Sequence, residues 1–210
     1  MVSEPGIPTH KPRHWLEYIS TALAVVVSLT SLWVAIGSEQ ANRQMVAASS
    51  WPFLEVGSSS VDSNGKPVLT FSVYNTGVGP AKVRSFEVFY KGKPVRSAEE
   101  LVRACCDRNF KRSTVADGPS AADDYFITGG VPGLVIRAGE TRNFITYNLS
   151  PRTQPTWTAL DRTRRKDIAY RICYCSVFDE CWRNTASPGK QQLDPVRVNT
   201  CPVPPVPYKE

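Results

Sequence analysis

Histidine is almost missing from this chain, and its position limits the chemistry available. The 210 residues contain two, His10 and His14, and both precede a long apolar run near the N-terminus. The residues after that run hold no imidazole, which excludes Ser-His-Asp and Cys-His nucleophile arrangements there. The chain also lacks G-x-S-x-G, a P-loop and G-x-G-x-x-G, so the common nucleophile-elbow, phosphate-cradling and dinucleotide-binding signatures are missing. No repeat of fixed period is present. What remains for acid–base work is the carboxylate pair Asp123 and Asp124. Two carboxylates catalyse when their surroundings drive their pKa values apart, and the polar stretch around this pair predicts two solvated aspartates instead. Composition therefore points away from an enzyme, and no cofactor-binding motif is present.

Charge of one sign is also in short supply. Lys and Arg number 25 against 19 Asp and Glu, a net charge of +6. That is too mild and too scattered for a nucleic-acid footprint. The densest basic cluster is Arg162, Arg164, Arg165 and Lys166, with no aromatic ladder beside it. It reads first as a solvated helix end, and second as a patch for an acidic partner such as a lipid headgroup, an acidic polysaccharide or an acidic protein.

One long hydrophobic run stands out. Tyr18 to Ser38 carries no charge and lies between Glu17 and Glu39. A helix of that length spans about 31 Å, close to the ~30 Å hydrocarbon core of a bilayer. Trp15, Tyr18 and Trp33 fit interfacial anchors at its two ends. Lys11 and Arg13 precede the run, and Arg43 is the sole basic residue in the twenty that follow. By the positive-inside rule the short N-terminal tail faces the cytoplasm and the rest lies outside. The rival is a cleaved signal peptide, with Ala35-Ile36-Gly37 ahead of a cut before Ser38. The run exceeds the roughly 7–15 apolar residues of a signal core, which favours a retained anchor. Ser20, Ala24, Ser28, Ser31 and Ala35 form a stripe of small residues, which reads first as the ordinary composition of a span and second as a face for close approach of a partner or of a second copy in a homodimer.

Cysteine is present in an even number, all of it after the run: Cys105, Cys106, Cys173, Cys175, Cys181 and Cys201. In an exported domain these predict disulfides. Cys173 and Cys175, two apart in a strand-like run, face the same way and should not pair with each other. Cys175 and Cys181 flank a hairpin tip and make the best local pair. Cys105 or Cys106 would then reach Cys173, and Cys201 would pin the C-terminal tail. In a reducing cytosol the same residues would read as thiolate ligands for zinc, drawn from Cys173, Cys175, Cys181 and the Cys105-Cys106 pair, although CxC and CC fit the usual two-hook spacing poorly.

The rest of the chain divides by period. Residues 39–51 lack Gly and favour helix, a stalk that Pro52 should end. Strands are expected from Phe53, over Val68–Asn75 and over Val83–Tyr90, with turns at Asp62-Ser63-Asn64-Gly65, at Asn75-Thr76-Gly77-Val78-Gly79-Pro80 and at Lys91-Gly92-Lys93-Pro94. Ser97-Ala98-Glu99-Glu100 is a capping box that opens a short helix to about Cys106. Residues 107–132 read as a long polar loop. Leu134–Arg137 and Thr141–Leu149 read as a hairpin, Thr156–Lys166 as a second short helix, Ile168–Val177 as a strand and Cys181–Asn184 as its returning partner. Cys201 to Pro207 is polyproline-like. About seven short strands with turns between them predict a mainly β fold, an immunoglobulin-like antiparallel β-sandwich. The resulting division is a cytoplasmic tail (1–17), a transmembrane helix (18–38), a helical stalk (39–51), a β-sandwich domain (52–185) and a Pro-rich tail (186–210).

Three segments carry a resemblance. The run Gln44 to Phe53 (QMVAASSWPF), the run Asn75 to Ala81 (NTGVGPA) and the run Tyr174 to Trp182 (YCSVFDECW) look like pieces of bacterial single-pass membrane-anchored proteins with an exported β-sandwich. The resemblance implies a bacterial envelope setting, with the anchor in the inner membrane and the domain in the periplasm, and implies no reaction. Together these readings predict a non-enzymatic envelope protein that contacts the bilayer through residues 18–38 and binds another envelope protein or polymer. The alternatives are a carboxylate-dependent hydrolase and a cytosol-facing sensor with thiolate-bound metal.

Overall fold

The computed structural model describes residues 14–111, 124–189 and 195–209. The chain forms two compact units, one up to Val46 and one from Ala47 onward.

The first unit is helical. α1 (His14–Ser49) runs without interruption for 36 residues, so the expected span and stalk are one helix. It is long and apolar enough to cross a membrane, with a mean hydropathy of 2.1 over its most apolar window. Four of its hydroxyls, on Ser20, Thr21, Ser28 and Thr30, bond back into the helix: Ser28 Oγ donates to Ala24 O at 2.8 Å and Thr30 Oγ1 to Val26 O at 3.0 Å. Such back-bonding leaves little polarity to desolvate in lipid. Polar character returns at Glu39, which pairs with Arg43 one turn later at 2.5 Å. Leu23, Leu29, Leu32 and Val34 all stand exposed.

The second unit is mainly β. Its elements are β1 (Leu54–Val61), β2 (Pro67–Asn75), β3 (Ala81–Tyr90), β4 (Lys93–Val95), α2 (Ala98–Cys105), β5 (Phe126–Thr128), β6 (Val135–Ile136), β7 (Thr141–Asn148), α3 (Gln154–Arg164), β8 (Ile168–Cys175), β9 (Cys181–Ala186) and β10 (Val196–Val198). They build two antiparallel sheets, ordered β1-β2-β7-β5 and β10-β9-β8-β3-β4, with β6 also pairing β3. Alternation explains the packing. Leu69, Phe71 and Val73 of β2 and Phe86 and Val88 of β3 are buried on the inward faces. Phe144 of β7 meets Phe86 of the opposite sheet edge-to-face at 5.0 Å, and Tyr170 of β8 at 6.0 Å. Large rings in tilted contact dominate the apolar area buried between the sheets. The open flank is closed by Asn184 Nδ2, which donates to Leu54 O across the sheets at 3.0 Å.

Local signals act where expected. Asp62 Oδ1 accepts from Asn64 N at 2.8 Å and Lys66 N at 2.9 Å, and Gly65 takes φ +76 to complete the turn. Ser97 Oγ accepts from Glu100 N at 3.2 Å to start α2, while the Glu100 carboxylate reaches one residue past the cap to Arg96 N.

Two expectations are corrected. The segment 134–149 is not a hairpin: β6 pairs β3 in one sheet, whereas β7 pairs β2 and β5 in the other. The Ala138-Gly139-Glu140 turn is a crossover between sheets. The loop 107–132 is not uniformly polar surface, because Phe110, Phe126 and Val131 are buried and β5 adds an edge strand. The C-terminal segment beyond residue 185 packs on the domain. β10 pairs β9, and Tyr208 is fully buried, 5.6 Å from the Phe86 ring. Prolines remove hydrogen-bond donors, yet they do not prevent an extended segment from seating an aromatic side chain.

The glycine-rich turn between β2 and β3 grips the chain that leads into β1. Val78 N and Gly79 N both donate to Trp51 O, at 3.0 and 3.2 Å, and Thr76 N donates to Phe53 O at 2.9 Å. A Cβ on Gly79 would lie 2.0 Å from Ser50 O, and one on Gly77 would lie 2.3 Å from Phe53 N. Glycine is needed there because backbone meets backbone, and no side chain can yield. Gly79→Ala should therefore destabilise the unit by about 3 kcal/mol or more, while Gly130→Ala, which meets nothing, should stay within about 0.5 kcal/mol. Chemical denaturation of the full chain in detergent checks both.

Candidate functional site

The two stems of the 107–132 segment border a cavity of about 400 Å³. Phe110, Phe126 and Tyr147 form its aromatic floor, with ring centroids 4.9, 5.3 and 6.1 Å apart. The rim carries Asp107, Lys111, Asp124 and Arg152. Each wall is set by a local device. Arg103 Nε on α2 donates to Phe110 O at 3.0 Å and holds one stem. Thr153, ahead of α3, donates its hydroxyl to Asn148 O at 2.9 Å, and Trp157 Nε1 donates to Tyr147 O at 3.1 Å, which fixes α3 against β7.

Asp124 is buried and ion-paired with Arg152. A hydrogen bond from the Ser150 hydroxyl, then the Arg152 guanidinium, hold its carboxyl below the usual carboxylate range despite the opposing effect of burial. Burial pushes the Tyr147 phenol up to about 12, assisted by the charges of Asp124 and Asp107. Both groups thus move away from neutrality. A general acid needs the reverse shift in its carboxyl. Asp123, the other member of the expected pair, lies outside the described residues. The arrangement presents stacking surface, fixed charge and hydroxyls, which suits holding a ligand.

The basic cluster divides in two. Arg164 is mostly buried: it bonds Asp161 Oδ1 at 2.8 Å and crosses to Ser58 Oγ at 2.8 Å, bracing α3 against β1. Arg165 shares Asp161 from the exposed side at 2.8 Å. Arg162 and Lys166 are exposed and take no ion-pair partner among the described residues. Three exposed cations thus sit around the α3 C-terminus, where positive charge also complements the helix dipole. Trp15, Tyr18 and Trp33 all lie on α1, and all three are exposed.

The cysteines pair as Cys105–Cys106, Cys173–Cys201 and Cys175–Cys181. The hairpin-tip pair and the pinning of the C-terminal segment match the sequence reading. The expected reach from Cys105 or Cys106 to Cys173 is corrected. Cys106 caps α2 directly after Cys105, and Cys173 is already taken by Cys201, which β10 delivers to the outer face of β8. Sequence reasoning missed the cavity floor, because Phe110 stands alone among polar residues and Phe126 sits in the run Tyr125-Phe126-Ile127, too short to show a period. No protein-family model and no curated protein matches the chain.

Two outcomes follow. Because the pKa of Asp124 is lower folded than unfolded, its contribution is fully present above the unfolded value near 3.8 and is lost as pH falls toward the folded value. Asp124→Asn should therefore flatten the acid limb of a stability–pH curve below the unfolded value near 3.8, read by thermal melts as the pH is lowered. Arg164→Ala should destabilise by about 1–3 kcal/mol, since it strips partners from Asp161 and Ser58, whereas Arg162→Ala should change stability by less than about 0.5 kcal/mol. Denaturant titration of the two variants separates them.

Proposed function

We propose that this chain is a membrane-anchored protein of the bacterial envelope that presents a non-enzymatic binding domain outside the cytoplasm. The observation that carries this reading is the state of the cysteines. All six lie after the apolar helix, and every one is paired. Paired cysteines persist in oxidising compartments and are rare in the cytosol. The length and apolarity of α1 support a retained anchor, with residues 18–38 in lipid and Trp15, Tyr18 and Trp33 at its interfaces.

Strand order supports an immunoglobulin-like layout: β1-β2-β7-β5 against β9-β8-β3 follows the constant-type arrangement, with β4 added beside β3. The disulfides depart from that family's inter-sheet bridge, since Cys173 and Cys175 lie on the strand next to β9 in the same sheet. The aromatic-floored cavity and the exposed cations Arg162, Arg165 and Lys166 are the surfaces that would meet an envelope protein or polymer.

Labelling with a membrane-impermeant maleimide tests the setting. Intact cells should show no labelling until reductant is added, and labelling afterwards without permeabilisation. Six thiols that react without reductant, and only after permeabilisation, would overturn the reading. A photo-crosslinking residue at Lys111 on the cavity rim should yield a discrete adduct in cells, and one at Val61, far along β1, should not. Equal or absent adducts from both would remove the cavity as the binding surface.

A further inference from the structure

The two bridges of the second sheet lie side by side. Cys175 of β8 stands directly opposite Cys181 of β9 in the strand register, and Val198 of β10 pairs with Cys181, which brings Cys201 alongside. The Sγ atoms of Cys175 and Cys201, in different bridges, are 4.0 Å apart, and those of Cys175, Cys181 and Cys201 all fall within 4.8 Å of one another. Cys173, bonded to Cys201, supplies the fourth sulfur from the same face of β8. In a tetrahedral thiolate site with ~2.3 Å metal–sulfur bonds the sulfurs sit about 3.8 Å apart. The sulfurs of Cys175 and Cys201 already stand at nearly that spacing, and each holds its bridge partner, Cys181 or Cys173, a bond length away, so the four come from two strands and the segment after β10.

We propose that Cys173, Cys175, Cys181 and Cys201, once reduced, form a tetrathiolate site for one zinc ion. The disulfide and metal states exclude each other. Each bridge is reduced to two thiols either by a dithiol, which gives two electrons and two protons and becomes a disulfide, or by a phosphine, which gives the electron pair and becomes the phosphine oxide while water supplies the two protons and the oxygen; metal entry then releases the thiol protons to solvent. Cys173, Cys175 and Cys181 are buried, so the ion would be closed off from water as in structural zinc sites. Four thiolates and one zinc ion leave negative charge, and cations stand beside them: Arg183 is the register partner of Cys173, and Lys82 that of Cys175. Cys105 and Cys106 lie outside the group, so the set differs from the one that spacing suggests. The inference does not depend on the exported setting, because it concerns the reduced chain wherever reduction occurs.

The test uses the full chain in detergent, reduced with a phosphine under anaerobic conditions and titrated with Co²⁺ as a spectroscopic probe, then with Zn²⁺. One ion per chain should bind, with the visible bands of tetrahedral cobalt and the thiolate charge-transfer band, and Zn²⁺ should displace it. Cys175→Ser and Cys201→Ser should each weaken binding about tenfold or more, whereas the double variant Cys105→Ser/Cys106→Ser should bind as the parent does. Absence of the tetrahedral spectrum overturns the proposal. So does unchanged affinity in Cys175→Ser and Cys201→Ser, or loss of binding in the Cys105/Cys106 variant. A reduced chain that loses its β-sheet circular dichroism and takes up no ion overturns it equally, since the fold is what must hold the sulfurs together.

Discussion

The carboxamide of Asn75 is where three stretches of chain are held in register, and both sheets depend on it. Its oxygen accepts from Phe53 N at 3.3 Å and Gly77 N at 3.1 Å, and its nitrogen donates to Gly79 O and Ile136 O, both at 2.9 Å. Its backbone closes the set, donating to Glu140 O and accepting from Gly139 N. One buried side chain thereby joins the segment entering β1, the turn leading to β3 and the crossover from β6 to β7. Every polar atom of that side chain is used, which is what makes its burial tolerable in a low-dielectric interior. The glycines at 77 and 79 are subordinate to this arrangement: they remove the side chains that would keep the three backbones apart.

A second closure lies at the other face of the unit. β10, the Cys173–Cys201 bridge and the Tyr208 ring together turn a proline-rich segment into a structural wall. Burial of Cys173 and Cys175, on the side of β8 that faces away from the opposing sheet, follows from this cover. Without it, β8 would show the alternation of a half-exposed strand, which is how its sequence reads.

The sequence was legible wherever structure follows from local chemistry. The period-2 runs of β2, β3 and β8, the Asp62–Gly65 turn, the Ser97 cap and the apolar length of α1 each have a cause within a few residues. Long-range pairings were not legible. Leu134–Arg137 and Thr141–Leu149 resemble a hairpin because a glycine turn joins two apolar runs, and only the choice of partner strand separates a hairpin from a crossover. Tyr208 is a lone aromatic after a proline-rich run, and Phe126 sits in a three-residue apolar run, so no period signals the burial of either. At the candidate site the loop was identified and its floor was not. The basic cluster was identified, but Arg164 turns inward because Asp161 and Ser58 wait there, a fact set by the packing of α3 on β1.

The position of Tyr208 has a bearing on how the molecule is made. All strands of both sheets precede it in the chain, yet its buried ring packs edge-on against both Phe86 and Phe144, one from each sheet. During synthesis the strands emerge while that space still lacks its occupant. The sheets can pair early, but close packing waits for a residue delivered after them.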